Sequence, residues 1–439
     1  MTLRQFIQRL HDRGVLRTVD REVNPDREMA AVLAHEPTTP TLFNRVTGSE
    51  LRAAGNLYAT RELLAEAVGV PHRDFASALV EAVRKRPSCA LTQSPPCQER
   101  VWMRRDLTQF PILKHLETDG GPYITASVLI INDKEFRRNA AFHRLMVIGR
   151  SRVSVRVVER RDTDLALRQA KGRAEAAVCL GAPPQVMLAA AMSPPRAVDE
   201  LEVAQALAPT PLARCLTNRL EVPAETEIVL EGRFTGETAD EGPFVDLTET
   251  MDIVREQPVL EIEAITSRED AIYEALLPGM MEHKMLMGVP READIHRSVS
   301  GVCRCLDVRI TPGGCSWLHA VVQIEKREED DAYRAIEAAF RAHPSLKRCV
   351  VVGPDVDPGD PEAVEWALAT RCQPDRDVCI LKGRPSSSLD PSATHAPGKK
   401  SMGSKIGIDA TIKGQDRTPF ARVRYPVLDE NRLRELLGE

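Results

Sequence analysis

No apolar run in this chain of 439 residues reaches about 18 residues, the length a helix needs to cross a bilayer. The first segment, Met1 to Leu16, interrupts its apolar pattern with Arg4, Arg9, Asp12 and Arg13, so it lacks the continuous apolar core of a secretory signal. The expected location is the cytoplasm, with no membrane partner. Basic tracts are missing too: Lys and Arg total 59 against 64 Asp and Glu, and Arg144, Arg150, Arg152 and Arg156 are dispersed. A net charge of −5 gives no general attraction to nucleic acid. The 10 cysteines include no CxxC pair. Cys303 and Cys305 form a lone CxC with Cys315 beyond, short of the four closely spaced ligands of structural zinc. Cys179, Cys349 and Cys379 lie in apolar runs and read as small core residues. No GxGxxG follows a strand, and GxxxxGK[ST], GxSxG and HExxH are absent, which removes the common nucleotide, esterase and zinc-protease signatures. No internal repeat occurs.

What is present is 43% hydrophobic and 28% charged residues, enough to build cores for about two to four domains. Helical periodicity predicts helices from Leu3 to Arg13, Glu28 to Leu33 and Ala76 to Lys85, closed by the breaker Ser94-Pro95-Pro96. Strands are predicted at Ile124 to Ile131, Leu145 to Ile148, Val153 to Val158, Ala176 to Leu180, Glu227 to Arg233 and Val259 to Ile265. Helices are predicted at Val186 to Met192 and Asp199 to Leu207. Strands separated by turns under a helical cover suggest a partly open, split β-barrel. Beyond Glu282 a helix is predicted to restart at Pro290. A hairpin then turns across Thr311-Pro312-Gly313-Gly314, followed by alternating helices and strands from Ala332 to Leu381. Pro385 to Met402 reads as a mobile loop, and Leu428 to Leu437 as an amphipathic helix suited to a partner subunit. The expectation is a multidomain α+β protein: an N-terminal mixed α/β domain (1–112), a central split barrel (113–300) and a C-terminal α/β oligomerisation domain (301–439).

Three polar segments stand out. In Asp240-Glu241-Gly242-Pro243-Phe244-Val245-Asp246, a Gly-Pro turn is able to bring two carboxylates to one pocket, where burial would raise one pKa; the alternative is a solvated acidic turn. Asn139 to Arg144 enters a strand, and an arginine there is equally a surface ion pair. Asp199-Glu200-Leu201-Glu202 opens a helix, where acidic residues suit the helix dipole.

Together these segments resemble the UbiD family of decarboxylases, which use prenylated FMN. The resemblance runs over nearly the whole chain. It includes Thr118-Asp119-Gly120-Gly121-Pro122-Tyr123-Ile124-Thr125, Asn139 to Arg144, Asp199 to Ala204, Val222-Pro223-Ala224 to Glu231-Gly232 and Glu241 to Asp246. It continues through Glu365-Trp366-Ala367 to Thr370-Arg371, Ser388-Leu389-Asp390-Pro391-Ser392 and Gly403 to Thr411.

The resemblance implies a carboxy-lyase with catalytic residues Arg144, Glu241 and Asp246. Arg144 would clamp the carboxylate, Glu241 orient Arg144, and Asp246 donate a proton after CO₂ leaves through a covalent adduct with the flavin. It also implies a divalent metal, Mn²⁺ or Mg²⁺, between protein and cofactor phosphate, with K⁺ as a further candidate. The implied metal ligands are Asn139, Glu200 and, in place of the family's histidine, Asp162; a shifted alignment places Arg160 there, which cannot ligate. An all-oxygen set suits a hard cation. Asn139, Met192, Glu200 and Lys405 are the implied cofactor contacts. For the substrate, His296 and Arg304 flank an apolar stripe at Ile295, Val299 and Val302. They are either a binding pair for a second carboxylate or a surface residue and a strand-edge ion pair. The resemblance to the furandicarboxylate decarboxylase branch favours the first and implies 2,5-furandicarboxylate as substrate and 2-furoate as product. The alternatives are a pyrrole, phenolic or unsaturated aliphatic monoacid, or a non-catalytic flavin-binding assembly subunit. Implied partners are CO₂, a flavin prenyltransferase supplying the cofactor, and further copies of the chain in a dimer or hexamer.

Overall fold

The computed structural model describes the chain apart from residues 72–73, 134–136, 197, 397–398, 415–417, 421, 424, 427 and 439. The first helix, Leu3–Asp12, starts at a reciprocal cap. The Thr2 side chain accepts from the Gln5 amide, and the Gln5 side chain accepts from the Thr2 amide. Its apolar face, Leu3, Phe6, Ile7 and Leu10, is buried. The N-terminal sheet has the order Arg17–Val19, Thr41–Phe43, Arg52–Gly55, Ile272–Glu274. Its last strand comes from far along the chain and pairs parallel to Arg52–Gly55. This N-terminal unit is thereby anchored to the segment that leads into the cavity described below.

The central sheet has nine strands, paired antiparallel throughout and curled into a half-barrel. Ser127–Asp133 shows why its strands read as unbroken apolar runs. Val128 and Ile130 pack with residues of helices Pro184–Ala191 and Glu200–Leu207, while Leu129 and Ile131 belong to the core on the other face. Successive side chains point to opposite faces, and here both faces are buried. The predicted single strand Ile124 to Ile131 is two, Tyr123–Ile124 and Ser127–Asp133, which pair with different neighbours. Ile228–Glu241 and Arg255–Ser267 run well past their predicted ends. Their polar halves stay paired from Thr238↔Pro258 to Glu241↔Arg255.

The C-terminal sheet has the order Arg304–Ile310, His319–Glu325, Arg348–Val352, Met402–Ala410, Val378–Pro385. The hairpin across Thr311 to Gly314 forms as expected, with Pro312–Gly314 in a 3₁₀ turn. Met402–Ala410, with two glycines, was not foreseen as a strand. It forms because both neighbours supply ladders. The restart expected at Pro290 does not occur: one helix runs from Met281 to Ser300 with Pro290 inside it. An interior proline costs about 3 kcal/mol. Burial of Met285, Leu286, Val289, Ala293, Ile295 and Val299 along the same helix offsets that cost. The segment expected to be a mobile loop is held where it is described, since Ser387 and Asp390 are buried and Lys347 pairs with Asp390 at 3.1 Å. In the terminal helix, Glu430–Leu437, no residue is buried. Among the described residues no helix is long and apolar enough to cross a membrane.

Candidate active site

Strand ends bring the acidic residues together. Ile228–Glu241 delivers Glu241, and Gly242 then takes φ 106°, a conformation that favours glycine. Phe244–Val245 pairs with Met251–Asp252, so this small hairpin presents Asp246 and Asp252 beside Glu241. Arg144 reaches all three from the bend between strands Arg137–Phe142 and Leu145–Val147. Its Nε and Nη2 donate to the two oxygens of Glu241 at 2.8 and 3.1 Å. Nη1 donates to Asp246 Oδ2 at 3.1 Å, and Nη2 also donates to Asp252 Oδ2 at 2.9 Å. Below the guanidinium lies the Phe244 ring, 5.2 Å away, stacked in turn on Tyr123 at 3.9 Å. The Tyr123 hydroxyl donates to Glu241 Oε1 at 3.1 Å.

Charge is balanced around this group. Arg255 pairs with Asp252 at 2.6 Å, and Arg156 stands 3.9 Å from it, so three arginines face three carboxylates. Burial works against the charge on Arg144, yet Glu241, Asp246 and Asp252 together hold its pKa above the ordinary value. His283 is buried near them. Burial drives its pKa down, against the pull of Asp246. Its Nδ1 accepts from the Gly279 amide at 3.0 Å, which leaves the neutral ring's hydrogen on Nε2.

Arg144, Asp246 and His283 line a cavity of about 510 Å³. Further along its wall are Asn139, Asp162, Met192 and Glu200, all foreseen from the sequence. The Asn139 amide nitrogen is 3.2 Å from Thr163 Oγ1, which is also bonded to His143 Nε2 at 2.9 Å; His143 Nδ1 meets the Arg156 carbonyl at 2.8 Å. This network turns the Asn139 nitrogen away and leaves its oxygen available. Glu200 is buried, and its Oε2 accepts from the Ala140 amide at 3.0 Å. Burial raises its pKa to about 8, with the negative charges of Asp199 and Asp162 adding to the effect. A buried carboxyl in that state is suited to a cation. Asp162 is half exposed and pairs with Arg196 at 3.3 Å. Among the described residues no three His, Cys, Asp or Glu side chains cluster as a metal site.

Other expectations are not met by the geometry. Neither His296 nor Arg304 lines the cavity. Arg304 pairs with Glu325 across the sheet at 3.0 Å, and His296 Nδ1 lies 3.5 Å from the hydroxyl of the exposed Ser300. Lys405 is buried away from the cavity lining, donating to the carbonyls of Pro344 (2.7 Å) and Leu346, over the Phe340 ring. Burial lowers its pKa to about 8, and its role is to tie the strand to the 344–346 turn. Glu241 lies behind Arg144, not on the wall itself. Sequence reasoning missed Asp252, Arg156, His283, Arg161, Arg291 and Trp317. Of these, Glu282-His283 after Pro278-Gly279 stood in a conspicuous turn-to-helix junction; the others carried no local signal.

Comparison with known proteins identifies the family. Models of the UbiD N-terminal domain, Rift-related domain and C-terminal domain of 3-octaprenyl-4-hydroxybenzoate carboxy-lyase match residues 7–83, 90–281 and 284–410. The anhydromevalonate phosphate decarboxylase of Methanosarcina mazei is 41% identical over 97% of this chain and 100% of that protein. The UbiD-class enzyme HmfF from Pelotomaculum thermopropionicum, solved with FMN, superposes with a TM-score of 0.93 at 36% identity, covering 99% of this chain and 100% of the other. An evolved dimeric form of HmfF, solved with prenylated FMN, gives 0.89 at 36% identity, with 98% of both chains covered. The chain belongs to the UbiD family and is a carboxy-lyase.

Proposed function

We propose that this protein decarboxylates a short unsaturated acid bearing a phosphate, of the anhydromevalonate phosphate type, with prenylated FMN bound in the cavity. The observation that carries the reading is a second pair of cations on the cavity wall. Besides Arg144, whose charge is balanced by Glu241, Asp246 and Asp252, the lining includes Arg161 and Arg291, with Met287 and Leu389 as apolar wall. The relative named for a phosphorylated acid is consistent with it. The absence of His296 and Arg304 from the described cavity lining is a reason to prefer this reading to a furan diacid.

In this reading Asn139, Asp162 and Glu200 would hold a Mn²⁺ or Mg²⁺ ion, which would supply positive charge for the cofactor's phosphate, and Met192 would contact the cofactor. The bound cofactor supplies an electron sink for the pair released when the bond to the carboxylate breaks. Arg144 binds the carboxylate and, through its fixed fork to Glu241, holds that bond in one orientation. CO₂ leaves, and Asp246, which must first take up a proton from solvent, passes that proton to the vacated carbon. The stacked Phe244 and Tyr123 keep water from the buried face of the guanidinium.

Protein loaded with prenylated FMN and Mn²⁺ is expected to release CO₂ from anhydromevalonate phosphate. Faster turnover of 2,5-furandicarboxylate, measured as kcat/KM under the same conditions, overturns the reading.

A further inference from the structure

Positive charge is not spread evenly in the cavity. Around Arg144 three arginines meet three carboxylates. Arg291, also on the wall, shares its one carboxylate partner, Asp294 (3.2 Å), with Arg297 (3.1 Å). Arg161, on the same wall, makes no side-chain ion pair among the described residues. Arg291 is held firmly: its Nη2 donates to Ser193 Oγ and to the Ala191 carbonyl (3.4 Å), and its guanidinium lies 5.7 Å from the Trp317 ring. Its buried Nε nevertheless has no hydrogen-bond partner among the described residues. The same indole's Nε1 donates to Ser387 Oγ at 3.1 Å. The Leu389 amide donates to that oxygen too, also at 3.1 Å. Ser387 is 2% exposed, and both contacts use its oxygen as acceptor, so its own hydroxyl hydrogen has no acceptor among the described residues. Surplus cations, an orphaned N–H and a spare O–H thus border one stretch of cavity wall. Buried donors in this condition are costly unless an anion completes them.

We propose that Arg161, Arg291 and Ser387 form a second anion subsite, separate from the Arg144 clamp, that receives the phosphate of the substrate. The inference rests on the reading of the substrate as a phosphorylated unsaturated acid. Met287, Leu389 and Trp317 line the same cavity and would offer apolar surface to the carbon chain between the two charged groups. A dianion with several acceptor oxygens matches two guanidinium forks and a hydroxyl.

The test uses holoenzyme with three acids: anhydromevalonate phosphate, the same acid without its phosphate, and 2,5-furandicarboxylate. Arg161→Gln and Ser387→Ala accompany Arg291→Gln, because the last alters a buried side chain and is at risk of misfolding. Flavin absorbance per protomer is recorded for each. The expected result is wild-type preference for the phosphorylated acid. Each variant should raise its KM roughly tenfold to a hundredfold, change kcat little, and keep its flavin. Wild-type failure on the phosphorylated acid with turnover of the diacid overturns the functional reading and the subsite with it. Wild-type turnover of the phosphorylated acid with unchanged KM in all three variants overturns the subsite alone. So does loss of flavin in the variants, which would assign these residues to the cofactor.

Discussion

Arg144 and Glu241 meet in a two-point ion pair, Nε to Oε1 at 2.8 Å and Nη2 to Oε2 at 3.1 Å, with the carboxylate wholly buried. The fork leaves Nη1 for Asp246 and places the cation's open side on the cavity. Lysine keeps the charge but not the fork. Arg144→Lys should therefore fold and bind flavin, yet lose about two orders of magnitude in kcat or more. Single-turnover CO₂ release checks this; a loss below tenfold would show that charge alone suffices.

Glu241→Gln tests the other half of the pair. It keeps the shape but leaves a buried guanidinium short of one counter-charge, a change worth about 3–5 kcal/mol when a buried pair is broken. The three-carboxylate arrangement should reduce that, since Asp246 and Asp252 remain. The expected outcome is a lower melting temperature together with severe loss of turnover. Tyr123→Phe removes only the 3.1 Å bond to Glu241, worth about 0.5–1.5 kcal/mol, so its turnover should fall less than that of Glu241→Gln.

Gly120 sits against the loop that carries the acidic residues. Its amide donates to the Pro243 carbonyl at 3.0 Å, and a Cβ there would lie 2.1 Å from the Gly242 carbonyl oxygen. Gly120→Ala must push the 242–243 turn away and with it Glu241 and Asp246. A stability loss of about 1–3 kcal/mol is expected, with activity falling more than melting temperature implies. Wild-type kinetics in this variant would show that the loop tolerates displacement.

Glu200 makes stability depend on pH and metal. Burial holds its pKa at about 8 against an ordinary 4.5, so the folded state keeps a proton that the unfolded chain gives up. That contribution is fully present below pH 4.5 and is lost as pH rises to about 8. Mn²⁺ competes with the proton for the carboxylate. Added Mn²⁺ should raise the melting temperature of flavin-free protein more near pH 8 than near pH 5, and Glu200→Gln should abolish the difference. A Mn²⁺ effect that is equal at both pH values, or that survives in the variant, contradicts this ligand role.

The sequence by itself determined the elements whose signals are local. The Thr2 cap and the spacing of Leu3, Phe6, Ile7 and Leu10 define the first helix, and the unbroken apolar run Val128 to Ile131 marks a strand buried on both faces. Resemblance over many short segments made Arg144, Glu241 and Asp246 one site although 97 and 102 residues separate them from Arg144. Only tertiary structure decided the rest, because the deciding partners are remote. The strand Met402–Ala410 exists through the ladders on either side of it, and Pro290 stays inside a helix because that helix is buried. Arg304 finds Glu325 across a strand pair, while Arg291 and Ser387, 96 positions apart in the chain, both meet Trp317. Periodicity and spacing report what a residue does to its own segment; which charges remain unpaired beside a cavity depends on every element that packs around it.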